Sequence, residues 1–104
     1  MAWFYLLFAG VLEIAWAFAM KQSDGFTKRV PTAVTLAALV GSLVFLALAL
    51  KSLPLGIAYT VWTGIGALGA LAVGVLLLGE PLHALKAGAA AMILGGLVLL
   101  KAAS

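Results

Sequence analysis

Long apolar stretches and short polar segments alternate along this chain. Residues 30–50, 52–79 and 87–100 contain no charged side chain, and residues 2–20 contain only one. Because a helix needs about 20 apolar residues to cross a bilayer, this pattern predicts four transmembrane helices. We expect these helices at about residues 2–20, 31–50, 54–78 and 82–100.

Three prolines fall at predicted helix starts, namely Pro31, Pro54 and Pro81. Proline is tolerated in the first helical turn because the N–H that it lacks would have no intrahelical partner there. Backbone inside a bilayer must satisfy its own hydrogen bonds, so short loops between helices are expected. The predicted fold class is therefore all-α integral membrane, with a single four-helix domain over residues 1–104.

The composition indicates that the bilayer is the solvent. Hydrophobic residues make up 66% of the chain and charged residues 9%, against about 25% charged residues in soluble domains. Mean hydropathy is +1.29. These values exclude a soluble enzyme, a nucleic-acid-binding module and a disordered tail. The chain contains no cysteine, and we expect no metal, no cofactor and no enzymatic activity.

The positive charges lie at the ends of the apolar stretches, where they anchor helices to the membrane surface. With four spans, one side of the membrane has Lys51 and Lys101. The other side has Lys21, Lys28, Arg29 and Lys86. Such a small difference predicts insertion in both orientations, which is called dual topology. The alternative is a single orientation with the four-charge side in the cytoplasm.

One carboxylate lies deep in the first apolar stretch. Glu13 falls near the middle of the predicted helix, where a charged group costs about 3 kcal/mol on insertion scales. Such a residue is a functional-site candidate, and a structural carboxylate hydrogen-bonded between helices is the alternative. Gly10 and Trp16 share its helix face. We expect Gly10 to leave space beside the carboxylate and Trp16 to offer a ring face that attracts cations.

Two other predicted helices carry polar and aromatic residues on single faces. The third has Tyr59, Trp62, Thr63 and Gly66 at helical spacing, and the second has Thr35 and Ser42 seven residues apart. A carboxylate, aromatic rings and hydroxyl groups that converge inside a membrane suit a small cation.

The last predicted helix carries small residues at helical spacing, at positions 87, 91 and 95 and again at 88 and 96. Small residues let membrane helices approach closely. Together with the weak charge difference, they indicate an antiparallel homodimer that holds two Glu13 side chains near a central pocket. Packing within one chain is the alternative explanation of these residues.

The segments around these residues resemble the small multidrug resistance family. The resemblance is carried by Ala9-Gly10-Val11-Leu12-Glu13-Ile14-Ala15-Trp16-Ala17 and by residues 51–66, which read KSLPLGIAYTVWTGIG. It covers the whole chain, including the turn at residues 24–27 and the closing Lys101. Trp16 and residues 51–54 most resemble the guanidinium-exporter subtype of the family.

The resemblance implies a multi-pass protein of the bacterial inner membrane, an antiparallel homodimer that exchanges protons for a guanidinium-type cation. It places the family's central glutamate on Glu13. It places the family's binding-site serine, tyrosine and tryptophan on Ser42, Tyr59 and Trp62. It also implies a hinge at Gly64 and Gly66 and a dimer contact near Ala89, Met92 and Gly96. Our hypothesis for the mechanism is that Ser42 holds the orientation of a carboxylate by hydrogen bonding.

Two rival functions remain open. One is a broad-specificity exporter of quaternary ammonium or aromatic cations, for which a wider pocket with fewer hydrogen-bond donors is expected. The other is a non-transporting membrane subunit, in which Glu13 pairs with a basic residue in a partner's span. An ion channel is disfavoured, because a buried titratable pair would hold cations too tightly for rapid conduction.

Overall fold

A computed structural model describes residues 2–103 of the chain. These residues form four α-helices and no β-strand. Each helix is long and apolar enough to cross a membrane, since about 20 residues at 1.5 Å per residue match the ~30 Å hydrocarbon core. The prediction of a multi-pass, all-α membrane protein is therefore confirmed. The helices are α1 (Ala2–Gln22), α2 (Arg29–Leu50), α3 (Leu55–Leu77) and α4 (Ala84–Ala103).

Two of the three prolines begin helices as predicted. Pro31 lies in the first turn of α2, and Pro54 is the residue that precedes α3. Pro81 does not begin a helix, because residues 79–83 are not helical and α4 starts at Ala84. Gly79 adopts a positive φ of 69° at the end of α3, a conformation that commonly ends helices. The residue before a proline also avoids helical geometry, so this connection is longer than predicted.

The turn between α1 and α2 is built around the buried Ser23. Its hydroxyl accepts a hydrogen bond from the Phe26 N–H at 3.1 Å, and its carbonyl accepts one from the Thr27 N–H at 2.9 Å. Asp24, Gly25 and Phe26 all have positive φ angles. Glycine adopts this region without penalty, whereas the two neighbouring residues are held there by the hydrogen bonds that close the turn.

The helix α1 lies at the centre of the bundle. It packs against α2 and α3, whereas the backbone of α4 lies close to α3 only, and no residue of α4 is buried. The molecule is a flat slab with extents of 41 × 35 × 16 Å. The buried core lies between α1, α2 and α3 and consists of Leu6, Ala9, Leu46, Ala49, Ala58, Val61 and Trp62.

Candidate functional site

The carboxyl group of Glu13 lies against α3 at Gly66. A Cβ atom built on Gly66 would overlap Oε1 and Cδ of Glu13 and would lie 2.8 Å from its Cγ. With any side chain at this position, the carboxyl group would have to move. The glycine that makes space for the carboxylate therefore belongs to α3, not to α1.

Two further glycines bring α1 and α3 together. A Cβ atom on Gly69 would overlap the side chain of Ile14, and one on Gly10 would lie 2.8 Å from Cβ of Ile65. The expectation that Gly10 leaves space beside the carboxylate is thus corrected, because Ile65 occupies that space. Glycines allow membrane helices to approach closely. We call Gly10, Gly66 and Gly69 the glycine seam.

A buried hydrogen-bond chain links the three packed helices. The Ser42 hydroxyl of α2 donates to the Ala9 carbonyl of α1 at 2.7 Å, and it accepts from the indole Nε1 of Trp62 at 3.0 Å. Ser42 is fully buried and Trp62 is 8% exposed. Because buried polar groups are costly when they are unpaired, this chain fixes how α2 and α3 sit on α1.

The position of Ser42 differs from the expected one. Our hypothesis is that its hydroxyl holds the orientation of a carboxylate by hydrogen bonding, whereas in the structure it donates to the carbonyl of Ala9. In an α-helix that carbonyl is also the acceptor for the N–H four residues later, which is the N–H of Glu13. Ser42 therefore bonds to the turn of α1 that ends at Glu13.

Thr35, the other hydroxyl on the predicted face of α2, does not join this chain. It is buried, and its hydroxyl donates to the Pro31 carbonyl of its own helix at 2.7 Å. Threonine often satisfies itself in this way inside helices. Of the two hydroxyls predicted on this face, only that of Ser42 bonds to another helix.

The predicted face of α3 divides into a buried part and an exposed part. Trp62 and Gly66 are buried, whereas Tyr59 is 53% exposed and Thr63 is also exposed. The two aromatic rings still meet edge to face, with centroids 5.5 Å apart. Tyr59 and Thr63 line a groove of about 640 Å³ between α3 and α4. We call this the Tyr59 groove.

Two polar atoms of α1 are buried without a hydrogen-bond partner among residues 2–103. They are Oε1 of Glu13 and Nε1 of Trp16, one acceptor and one donor. Each unpaired atom costs about 1–3 kcal/mol. Unsatisfied polar atoms are rare in folded proteins and call for an explanation. Their spacing of three residues places both on one face of α1, as the sequence predicts.

The predicted hinge residues contact two different helices. A Cβ atom on Gly64 would lie 2.7 Å from Cδ2 of Leu97 on α4, whereas Gly66 faces Glu13 on α1. The helix α3 is continuous through both residues, and the hinge stays a prediction. The dimer contact also stays a prediction, although its three residues, Ala89, Met92 and Gly96, are all exposed on α4.

Comparison with known proteins decides the family. The family model for the small multidrug resistance protein matches residues 1–101. The chain belongs to the small multidrug resistance family. This confirms the resemblance drawn from residues 9–17 and 51–66.

Individual members of the small multidrug resistance family cover the chain closely. A protein named guanidinium exporter from Yersinia pseudotuberculosis is 47% identical over 104 residues, which cover all of both chains. Another of that name from Escherichia coli is 46% identical over 101 residues, 97% of this chain and 96% of its own. One from Citrobacter freundii is 45% identical with the same coverage.

Among the contacts of this small multidrug resistance protein that the sequence did not predict, three involve predicted site residues or their backbone neighbours. They are the packing of Ile65 on Gly10, that of Leu97 on Gly64, and the hydrogen bond to the Ala9 carbonyl. The first two have a sequence signal, since each large residue lies at helical spacing from other apolar residues. The third has none, because every residue carries a carbonyl.

The contact between Gly66 and Glu13 predicts that Gly66→Ala impairs substrate binding by displacing the carboxyl group. Gly69→Ala is the matched control, since it crowds the same two helices against Ile14 and touches no carboxylate. Overpacking should destabilise both variants by about 1–3 kcal/mol. In proteoliposomes with equal amounts of folded protein, only Gly66→Ala should lose guanidinium transport. If both variants lost transport equally, Gly66 would serve only to pack the two helices together.

The hydrogen-bond chain predicts energetic coupling between Ser42 and Trp62. Ser42→Ala leaves the indole N–H buried and unpaired, so it should lower the free energy of unfolding by about 1–3 kcal/mol. In a Trp62→Phe background, which has no indole donor, the same substitution should cost less. Denaturation in mixed micelles, followed by circular dichroism, gives the free energies of unfolding of the four proteins in this double-mutant cycle. Equal costs in both backgrounds would contradict the coupling.

Proposed function

We propose that this protein is an antiporter that exports guanidinium and small substituted guanidinium cations in exchange for protons. The Glu13 carboxylates of two subunits would bind either protons or the cation, so that one leaves when the other arrives. The proposal extends to this chain what the names of its relatives say, since those relatives are called guanidinium exporters. The observation that carries it is the mid-membrane Glu13, whose Oε1 is buried and unpaired.

The chemistry of guanidinium suits two carboxylates. The ion is planar and rich in N–H donors, and carboxylate oxygens accept such donors in parallel pairs. An unpaired, buried carboxylate oxygen is an acceptor held ready for such a cation. Burial also excludes water from the contact, which strengthens charge-assisted hydrogen bonds.

Aromatic and hydroxyl side chains would complete the pocket. In this proposal Trp16 and Trp62 form its walls and Tyr59 closes one side. Trp62 is held in place by its hydrogen bond to Ser42, so its ring is preorganised for contact with a cation. Tyr59 packs against Trp62 and is half exposed, which is compatible with a side chain that moves when a cation enters.

A second copy of the chain would be needed to complete the site. One chain is a slab only 16 Å thick, too thin to surround a water-filled cavity and also to separate it from lipid. We propose an antiparallel homodimer that meets through α4 near Ala89, Met92 and Gly96. Met92 and Gly96 also line the Tyr59 groove, so a copy seated there would approach the side chains of the pocket.

Transport would then follow from an exchange of conformations between the two subunits. In an antiparallel pair the two copies face opposite sides of the membrane. When each adopts the shape of the other, an inward-open dimer becomes an outward-open one, as inverted repeats achieve within single chains. Gly64 and Gly66 would form the hinge, because glycine relaxes helix geometry.

The rival drug-exporter function differs in the shape of its cation. Quaternary ammonium ions have no N–H donors, so paired carboxylates would attract them by charge alone. Walls of tryptophan favour both ions, so selectivity between them must be measured.

Transport current measured with purified protein in liposomes tests the function. We expect guanidinium to produce current and a tetraalkylammonium ion to produce little. Glu13→Gln should reduce the guanidinium current to the level of protein-free liposomes. Glu80→Gln is the matched control, because it makes the same substitution at an exposed carboxylate outside the helices, and it should retain the current.

Other outcomes of this measurement would redirect the assignment. Larger current with the tetraalkylammonium ion would make the protein a broad-specificity exporter. An absence of both current and proton movement with either ion, from a folded dimer, would favour the partner-subunit function, because one-for-one exchange of a proton for a cation moves no net charge. Retention of proton exchange in Glu13→Gln would remove the carboxylate from the mechanism.

The antiparallel dimer predicts that the chain inserts in both orientations. The chain has no cysteine, so Ser52→Cys provides a single label in the exposed turn between α2 and α3. A membrane-impermeant maleimide should label about half of the copies in intact cells. Adding Gln22→Lys should shift this fraction, because it adds a fifth positive charge to the side of the membrane that already has four. Complete labelling or none would indicate a single orientation.

A further inference from the structure

A second groove lies on the face of the slab opposite the Tyr59 groove. The α3 and α4 residues that line the two grooves are rotated about half a turn from one another around their helices. This groove has a volume of about 520 Å³ and runs between α1, α3 and α4. We call it the Trp3 groove, and its apolar walls include Leu7, Val61, Ile65, Leu94 and Val98.

A charged residue and an aromatic residue close one end of the Trp3 groove. Lys101 lies in the last turn of α4, with its Nζ 4.9 Å from the ring centroid of Trp3 in the first turn of α1. Lysine and tryptophan are the usual anchors at the boundary of a membrane. An ammonium group has three donors, so contact with one ring face leaves donors free for an anion.

The length of the groove is comparable to the thickness of one leaflet. Leu94 lies seven residues before Lys101, which corresponds to about 10 Å along α4. One leaflet contributes about 15 Å of the hydrocarbon core. The groove therefore begins at the membrane surface and follows the helices through most of one leaflet, as an acyl chain does.

No acidic side chain of residues 2–103 lies near Lys101. The chain has three acidic side chains, Glu13, Asp24 and Glu80. Glu13 lies mid-span, while Asp24 and Glu80 lie in the connections at the opposite end of the molecule from Lys101. A lipid phosphate at the near surface is an anion that Lys101 can reach.

We propose that the Trp3 groove binds an anionic phospholipid of the surrounding leaflet. One acyl chain lies along the groove between α1 and α4, and the phosphate accepts hydrogen bonds from Lys101. This lipid covers a gap beside α4, the helix that packs least against the rest of the chain. A second copy seated on the Tyr59 groove would leave this face to the bilayer.

Native mass spectrometry of the full chain in a non-ionic detergent tests the headgroup contact. The probes are phosphatidylglycerol and phosphatidylcholine with identical acyl chains. Wild-type protein should bind phosphatidylglycerol about fivefold more tightly, the factor expected for one lysine beside an anionic headgroup. Lys101→Gln should remove this preference and Lys101→Arg should keep it. Lys51→Gln is the control, since it removes a charge at the same end but outside the groove.

Substitutions in the groove test the acyl-chain contact. Val98→Trp fills the groove and should weaken binding of both lipids severalfold. Leu99→Trp is the control, because Leu99 is 71% exposed and does not line the groove. If Lys51→Gln removes the preference as Lys101→Gln does, diffuse charge explains binding and the proposal is wrong. It is also wrong if Val98→Trp has no effect, or if soluble glycerol phosphate binds as tightly as the lipid.

The lipid site can fail or hold independently of cation transport. Glu13→Gln should retain full phosphatidylglycerol binding, because Glu13 does not line the Trp3 groove. Loss of lipid binding in Glu13→Gln at unchanged helix content would contradict a separate site.

Discussion

The close approach of α1 and α3 determines what surrounds the carboxyl group of Glu13. Lipid tails are as apolar as leucine, so membrane helices gain little from hydrophobic burial and depend on close packing instead. The glycine seam supplies that packing by removing Cβ atoms where Ile14, Ile65 and Glu13 press against the opposite helix. The same geometry that holds the helices together therefore places a carboxyl group inside the membrane against bare backbone.

Near this seam, the polar side chains of α2 and α3 are paired, whereas two polar side-chain atoms of α1 are unpaired. Ser42 and Trp62 satisfy each other and a backbone carbonyl of α1. Glu13 and Trp16, one and two turns further along α1, each keep a buried atom without a partner. A bilayer makes unpaired groups costly. The polar groups of α2 and α3 are thus used in packing, and the atoms left unpaired lie on α1.

The four helices and the unusual position of Glu13 could be predicted from the sequence, because both follow from the cost of polar groups in lipid. A run of about 20 apolar residues has few alternatives to a spanning helix, and Glu13 stands out against such a run. Periodicity also places residues on a face, but it does not identify what lies opposite. The partners of Gly10 and Ser42 were therefore missed, since they depend on helix rotation and on a backbone carbonyl. Pro81 was misplaced because a glycine turn precedes it.

The three consecutive residues Gly64, Ile65 and Gly66 of α3 contact two different helices, α1 and α4. Gly64 contacts Leu97 of α4, Ile65 fills the space at Gly10, and Gly66 contacts Glu13. A movement of this turn of α3 would reach both Leu97 and the carboxyl group of Glu13, because both side chains lie against it. The surroundings of the carboxyl group and the packing of α4 therefore depend on the same turn of α3, because its two glycines face different helices.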